Sequence, residues 1–299
     1  MPTRKRNVSS VALNLMPERG TIWLFDAGEG TQHQMLSSPL KPGKLEFIFI
    51  THLHGDHLYG LPGLMTSRSY QGGEEPLTIF GPPGIRRFVE TAFEVSDAHL
   101  EYEVRIREYE EGLVFEDEQF RVTAAKLEHR IDSYGFRIEE RDTPGALNSG
   151  KLAAEGFRPG PHYAALKRGE TVTMPDGRTI DGSRYLGPRL KGRTVCIFGD
   201  TRPCASELEL ARGADVLVHE ATYMHERAEN AHKYYHTTAT QAATLAAKAG
   251  VHALILTHLS SRYQDETVHQ LLEEARAIFP HSHVAEDFWS YTVPRRDAE

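Results

Sequence analysis

The segment 47–63, FIFITHLHGDHLYGLPG, concentrates side chains that bind metals. Its apolar residues 47–50 predict a β-strand. Imidazole and carboxylate groups are ligands of zinc and manganese, and Gly55 would let the backbone turn tightly enough for alternate side chains to converge. A solvated histidine-rich loop is the alternative, but the density of donors favours a metal site. The donors lie within six positions of one another: His52, His54, Asp56 and His57.

Other apolar runs of the sequence also end in a histidine or a carboxylate. Strands predicted at residues 194–198, 216–218 and 253–256 each end just before such a residue, and the run FRVTAAKLEH ends in another histidine. Chemistry in layered α/β domains is located at strand ends. We therefore expect these residues to converge with the first cluster: His129, Asp200, His219, Glu220 and His258.

The remainder of the sequence predicts a layered α/β fold organised as a single domain. Strands, glycine turns and helices follow one another, and 299 residues can bury a substantial core. The 39% hydrophobic and 25% charged fractions are those of a soluble globular protein. No apolar run approaches the roughly 18 residues of a membrane helix and no signal sequence is recognisable, so we expect a cytoplasmic protein without a membrane partner. Since Cys196 and Cys204 are the only cysteines, any metal must be held by histidine and carboxylate.

A basic segment lies within this acidic chain. The net charge is −8, which taken alone argues against a nucleic-acid partner, but residues 151–193 contain nine basic and four acidic residues. Residues 142–183 are rich in glycine and proline and have no strong core pattern, so we expect an inserted, flexible arm that projects from the domain. The arm is a candidate for contacting phosphates, and a solvated surface excursion is the alternative.

The order of these motifs resembles a known superfamily. The signature His52-Leu-His54-Gly-Asp56-His57, followed at a distance by His129, Asp200 and His258, is similar to that of the metallo-β-lactamase superfamily. The resemblance implies an α/β fold, an αββα sandwich. Because glyoxalase II, lactamases and phosphodiesterases share this signature, it is specific for the fold and the metal but not for the substrate.

Further motifs narrow the resemblance to one family over essentially the whole chain. They resemble the bacterial short form of RNase Z, the endoribonuclease that processes tRNA 3′ ends. Such a function implies precursor tRNA as the substrate, from which a 3′ trailer is removed to leave a 3′ hydroxyl. The motifs are the Gly/Pro-rich arm, PTRKRN at residues 2–7, His219-Glu-Ala-Thr222, His236-Thr-Thr and His258-Leu-Ser-Ser-Arg-Tyr263.

The resemblance also implies two divalent ions per chain, zinc with manganese as the alternative. It assigns His52, His54 and His129 to one ion. Asp56, His57 and His258 go to the other, with Asp200 between them. Two ions would lower the pKa of a shared water molecule and orient it for in-line attack on the phosphate.

Proton transfer and substrate binding follow from the same resemblance. Asp56 would act as general base, and His236 assisted by Glu220 would protonate the leaving 3′ oxygen; alternatively, Glu220 only supports a metal ligand. Basic residues would contact the RNA, with the arm of one subunit of a homodimer gripping tRNA for the other. These residues are Arg4, Lys5 and Arg6 near the tRNA 3′ end, and Lys151, Arg158, Lys167 and Arg168 on the arm.

Two other functions are compatible with parts of the sequence. A hydrolase of the same fold could act on a small phosphodiester or thioester, although such a substrate needs neither a basic arm nor the loop at residues 2–7. A non-catalytic RNA-binding module could retain metal for stability, although it needs no proton-transfer residues.

Both ends of the sequence show one further feature. Family members usually begin with an additional strand, so we expect the first strand of the family to be missing from this chain. We also expect the protein to be less stable than a relative that has this strand, and the loop around residues 4–6 to be disordered. Near the other end, Asp287-Phe288 resembles a family motif to which the sequence assigns no role.

Overall fold

A computed structural model describes residues 2–174 and 177–295 of the chain. The strands are β1 (Val11–Leu15), β2 (Thr21–Phe25), β3 (Leu45–Phe49), β4 (Leu77–Gly81), β5 (Val104–Glu108), β6 (Gly112–Glu116), β7 (Phe120–Leu127), β8 (Ser133–Glu140), β9 (Thr171–Thr173), β10 (Thr179–Asp181), β11 (Thr194–Phe198), β12 (Val216–Glu220), β13 (Ala253–Thr257) and β14 (Ser282–Val284). The α-helices are α1 (Met16–Arg19), α2 (Thr31–Leu36), α3 (Gly55–Leu58), α4 (Leu61–Tyr70), α5 (Ile85–Ser96), α6 (Ser149–Ala154), α7 (Tyr163–Lys167), α8 (Ala205–Ala211), α9 (Ala228–Tyr234), α10 (Ala239–Ala249) and α11 (Glu266–Arg276).

Most strands belong to two sheets. The first has the order β1-β2-β3-β4-β5, in which β1 is antiparallel to β2 and the other neighbours run parallel. The second has the order β14-β13-β12-β11-β8-β7-β6, with β11 to β14 parallel to one another. Since the carboxyl ends of neighbouring parallel strands meet at one edge of a sheet, the residues that follow β11, β12 and β13 lie side by side.

The five-stranded sheet has one aromatic and one aliphatic face, because successive side chains of a strand point to opposite sides. Phe49 of β3 stacks between Phe25 of β2 and Phe80 of β4, at ring-centroid distances of 4.9 and 4.8 Å. Phe136 of the second sheet contacts Phe49 edge-on at 5.4 Å. The aromatic face therefore packs against the seven-stranded sheet. The aliphatic face buries Ile22, Leu24, Ile48, Leu77 and Ile79.

Helices cover the outer faces of both sheets. Leu61, Leu64 and Met65 of α4 are fully buried in the cluster under the first sheet. On the second sheet, the buried face of α10 consists of alanines, whose small side chains allow close packing. The order helix, sheet, sheet, helix confirms the predicted αββα fold. No helix in the described parts of the chain is long and apolar enough to cross a membrane.

The predicted elements are present, with shifted ends. Strand β11 has the predicted bounds, β12 and β13 extend further than predicted, and Thr238 caps α10 in a capping box with Gln241. Two helices, α3 and α4, follow the loop after β3. Gly60 lies between them, where a Cβ atom would be 2.0 Å from the carbonyl oxygen of Gly28. That close approach brings the turn after β2 against the metal-ligand loop.

A second compact unit comprises Asp117–Arg121, Glu139–Arg193 and the residues from Val293 onward. It includes the predicted arm, which contains α6, α7 and the β9–β10 hairpin. The hairpin and helices bury a small core that the scattered apolar residues of this segment did not predict. The core consists of Leu152, Phe157, Leu166, Met174, Ile180 and Tyr185.

Candidate metal centre and proton-transfer site

The loop after β3 places four donors because its backbone changes from extended to helical between His54 and Gly55. The Tyr109 hydroxyl donates to the Ile50 carbonyl at 2.7 Å and fixes the end of the strand. His54 is extended, with φ −67° and ψ 148°, so His52 and His54 point to the same side. Helix α3 then begins at Gly55 and brings Asp56 and His57 round to the same point.

The remaining donors come from the ends of other strands. His129 follows β7, Asp200 follows β11, and Glu220 is the last residue of β12. The expectation for His219 was wrong: its Nε2 lies 2.8 Å from Glu207 Oε1, and it belongs to none of the donor groups among the described residues. His258 follows β13 with φ 53°, a left-handed conformation that is strained for a residue with a side chain. Strain of this kind is typical of functional sites, and here it turns the imidazole towards Asp200.

Potential ligand atoms form four overlapping groups within the described residues, and in each group all ligand atoms lie within 4.8 Å of one another. Two groups coincide with the donor sets that the sequence assigned to separate ions. The other two both include Asp200, which therefore connects the sets. The groups are His52, His54 and His129; Asp56, His57 and His258; His52, His57 and Asp200; and Asp200, His236 and His258.

The Asp200 carboxylate is buried at the centre of these groups. Its Oδ1 lies 3.4 Å from His57 Nε2, and its Oδ2 lies 3.3 Å from His258 Nε2 and 4.0 Å from His52 Nε2. Burial alone raises the pKa of Asp200, but His258 and His57 outweigh it and hold that pKa well below its usual range. Asp200 is therefore a permanent negative charge that contacts both donor sets.

The first donor set is suited to a divalent metal. Burial lowers the pKa of His52, His54 and His129, so these imidazoles are neutral and carry the lone pairs that a metal requires. His52 Nε2 is buried without a hydrogen-bond partner in the described chain, an arrangement that is costly unless a ligand satisfies it. His129 Nδ1 lies 2.8 Å from the Tyr235 carbonyl, which leaves Nε2 for the metal.

The second donor set contains an ionised carboxylate. The neighbouring His258 imidazole, whose Nε2 lies 3.6 Å from Asp56 Oδ2, holds the pKa of Asp56 well below its usual range. Burial lowers the pKa of His57, but Asp200 and Asp26 outweigh it and raise that pKa well above its usual value. A positive charge is therefore favoured between Asp26 and Asp200, which a metal ion can supply in place of the proton.

A histidine–glutamate pair lies beside these donors. His236 Nδ1 is 2.9 Å from Glu220 Oε1 and 3.8 Å from Asp200 Oδ2. Glu220 is buried and held by the Thr201 N–H at 3.0 Å and the Thr222 hydroxyl at 2.6 Å. Burial lowers the pKa of His236, but Glu220 and then Asp200 and Asp56 outweigh it and raise the pKa to about 9. His236 is thus protonated at neutral pH and oriented through Nδ1.

Comparison with known proteins identifies the family. The family model for the beta-lactamase superfamily domain matches residues 21–147. Ribonuclease Z of Geobacillus kaustophilus is 56% identical over 99% of this chain and 96% of that protein, and ribonuclease Z of Bacillus velezensis is 56% identical over 99% and 96%. The chain belongs to the ribonuclease Z family. A crystal structure of human tRNase Z, short form, is 31% identical and superposes with a TM-score of 0.70 over 98% of this chain and 95% of that one.

Sequence reasoning missed one carboxylate of this ribonuclease Z site. Asp26, which the sequence analysis did not select, is buried and has φ 62°. Its Oδ2 lies 2.7 Å from His57 Nδ1, and its carboxylate accepts the Thr51 N–H at 2.7 Å and the Thr51 hydroxyl at 2.8 Å. Asp26 therefore fixes the tautomer of His57. Its position directly after β2 is the same strand-end signal that identified the other donors.

A threonine has a similar supporting role. The Thr222 hydroxyl lies 2.9 Å from His258 Nδ1 while it donates to Glu220 at 2.6 Å. It links the second donor set to the proton-transfer pair. The sequence placed Thr222 in a family motif but gave it no partner, because β12 and the loop after β13 meet only in the folded chain.

The basic residues expected to bind RNA are mostly exposed side chains. Arg4 and Lys5 are exposed, and Arg6 is half-buried. Within the second unit the four predicted arm residues are all exposed. Arg168 pairs with Glu170 at 2.6 Å, and Lys151 Nζ donates to the Arg184 carbonyl at 3.2 Å. The other two arm residues are Arg158 and Lys167.

Substitution of Asp26 by asparagine tests its support of His57. The amide keeps an acceptor for the Thr51 N–H but removes the charge beside His57, so metal affinity is expected to fall by about 10–100-fold. Competition with a fluorescent chelator measures this affinity. Glu29→Gln, an equal charge change at an exposed position of the same turn, is the control. Wild-type affinity in Asp26→Asn would contradict the assignment.

Proposed function

We propose that this chain is an endoribonuclease that cuts the 3′ trailer from precursor tRNA and leaves a 3′ hydroxyl. One observation carries the proposal: in a chain similar along its whole length to proteins named ribonuclease Z, a histidine that contacts a buried glutamate at 2.9 Å lies 3.8 Å from the carboxylate that joins two metal-donor sets. Divalent ions held by these donors would bind a phosphodiester and a water molecule, and the histidine can supply the proton that the leaving oxygen needs.

The proposal includes two divalent ions per chain, with zinc as the expected metal and manganese as the alternative. His52, His54 and His129 would hold one ion. Asp56, His57 and His258 would hold the other, and Asp200 would contact both. Bound ions would activate a water molecule for attack and offset charge on the phosphate oxygens.

Asp56 and His236 divide the proton transfers between them. The Asp56 side chain is 31% exposed, so it is reachable by water, and it is ionised, which is the form that a general base requires. His236 is 17% exposed and carries a proton that it can donate to the 3′ oxygen, after which Glu220 stabilises the orientation of the ring. The proposed general base thus comes from α3, and the proposed general acid comes from the loop between α9 and α10.

Substrate binding is proposed to be electrostatic and shape-based. An A-form RNA arm offers phosphates and 2′-hydroxyls that exposed lysines and arginines can contact. The single domain would present its flexible arm, residues 142–183, to the tRNA bound by the other subunit of a homodimer. A cytoplasmic location agrees with a tRNA substrate. The proposed contacts are Arg4, Lys5, Arg6, Lys151, Arg158, Lys167 and Arg168.

Cleavage of a precursor tRNA with a 3′ trailer tests the function. Protein stripped with a chelator is expected to be inactive, and zinc or manganese is expected to restore a single cut that leaves a 3′ hydroxyl, mapped by sequencing the product ends. An unstructured RNA of equal length is the control substrate. Absence of a tRNA cut, with rapid hydrolysis of a small phosphodiester or thioester, would instead assign the chain to another hydrolase activity of this fold.

His236→Ala tests the proton donor. The rate constant kcat on precursor tRNA is expected to fall by about 10²–10⁴-fold while metal content is retained. His225→Ala, at an exposed position after β12, is the control.

The pH profile provides a second readout for His236. A proton donor must be protonated, so the rate should fall as pH rises through its pKa, which the neighbouring carboxylates raise to about 9. Ions on Asp56 and Asp200 would offset two of those charges, so the alkaline limb is expected at or below pH 9. An identical limb in His236→Ala would contradict the role.

The arm is tested by removing its charge. Replacing Lys151, Arg158 and Lys167 by glutamine is expected to weaken precursor binding and to reduce the slope of log K against log salt by about 0.7–1 for each lost phosphate contact. Replacing three exposed lysines of the first unit, Lys41, Lys44 and Lys248, is the matched control. An unchanged salt slope in the arm variant would show that the arm does not contact phosphates.

A further inference from the structure

The basic N-terminal residues form a closed turn. Thr3 and Arg6 are joined by a backbone hydrogen bond of 2.7 Å, and the Thr3 hydroxyl accepts the Arg6 N–H at 2.9 Å. Arg4 and Lys5 project from this turn into solvent. Lys5 pairs with Asp265, an exposed contact that contributes little by itself. The geometry of the turn must therefore be maintained elsewhere.

Asp287 holds the point where this turn joins the rest of the chain. Its two carboxylate oxygens accept the Asn7 backbone N–H at 3.1 and 3.0 Å, and Oδ2 also accepts Gln34 Nε2 at 2.6 Å. Asn7 Nδ2 in turn donates to the Glu29 carbonyl at 2.7 Å. A half-buried carboxylate that accepts two donors in this way forms charge-assisted hydrogen bonds, which are stronger than neutral ones.

The segment that follows Asn7 is hydrogen-bonded to the metal-ligand loop. The Ser9 N–H donates to the Asp56 carbonyl at 3.1 Å, and the Gly28 N–H donates to the Ser9 carbonyl at 3.0 Å. Asp287 is also linked to the segment that carries His258, a member of the same donor set as Asp56, because the nearby Ala285 N–H donates to the Leu256 carbonyl of β13 at 2.9 Å. The hydrogen bonds between Asn7 and Asp287 thus connect the two loops that supply Asp56 and His258.

We propose that Asp287 is a positioning residue for RNA cleavage: it fixes the basic turn at residues 3–7 relative to Asp56 and His258, so that Arg4 and Lys5 meet the RNA next to the cut. This inference rests on the proposed function. A negative charge beside an RNA path would repel phosphate if it were free, but here the donors of Asn7 and Gln34 engage it. Its effect is pre-organisation of the turn before RNA binds.

Asp287→Ala is the first variant to measure. The ratio of kcat/KM on precursor tRNA to kcat/KM on bis(p-nitrophenyl) phosphate is expected to fall by about tenfold, the loss expected for a charged hydrogen bond. The mapped product ends should spread to neighbouring positions, because the phosphate is no longer aligned. Glu286→Gln, an equal loss of charge at the adjacent exposed residue, is the control.

Exchanging the hydrogen-bond donor and acceptor between residues 34 and 287 distinguishes a positioning role of Asp287 from a role in folding. In Asp287→Asn the amide oxygen can accept the Asn7 N–H, but its NH₂ group faces the NH₂ of Gln34. Adding Gln34→Glu supplies an acceptor for that NH₂ group, so the double variant is expected to recover the ratio and a single product end.

Two results would overturn the inference. One is a parallel loss on both substrates with product ends unchanged, which would show that Asp287 only stabilises the fold. The other is a double variant no better than Asp287→Asn. Failure of the proposed function is distinguishable from both, because the unsubstituted protein would then make no cut in precursor tRNA.

Discussion

The buried carboxylate of Asp200 imposes the constraint on which the rest of the site depends. A charge in a low-dielectric interior is costly unless partners compensate it. Asp200 has His57 and His258 within 3.4 Å and His52 at 4.0 Å, so its ionised form is retained although the side chain is buried. Compensation requires these partners to arrive at one place from different parts of the chain. The fold is an arrangement that brings them there.

The donor residues converge because they follow the ends of neighbouring strands, and a layer of aromatic side chains between the two sheets holds those strands in place. Parallel strands β11, β12 and β13 deliver their terminal residues to one edge, and β3 delivers its loop from the other sheet. Behind them, Phe25, Phe49, Phe80 and Phe136 fill the space between the sheets. Large close-packed rings leave little freedom for the strands to shift, which keeps the donor atoms in place.

Each donor in turn has its own supporting group. Asp26 orients His57, the Tyr235 carbonyl orients His129, and Thr222 orients His258. Glu220 performs the same task for His236 and, together with Asp200 and Asp56, raises its pKa. Asp287 extends this principle, by our proposal, from side chains to a whole backbone turn.

The sequence by itself determined the fold class and the donor types. The density of His52, His54, Asp56 and His57 and the strand-end positions of Asp200 and His258 are local patterns, because apolar runs and the residues that end them can be read without knowing their neighbours. Only the tertiary structure decided the roles of Asp26 and Asp287 and the small core of the arm. Each of these depends on pairs distant in sequence, such as Asp26 with His57 and Asp287 with Asn7, and no period or spacing encodes a contact that exists only after the chain has folded.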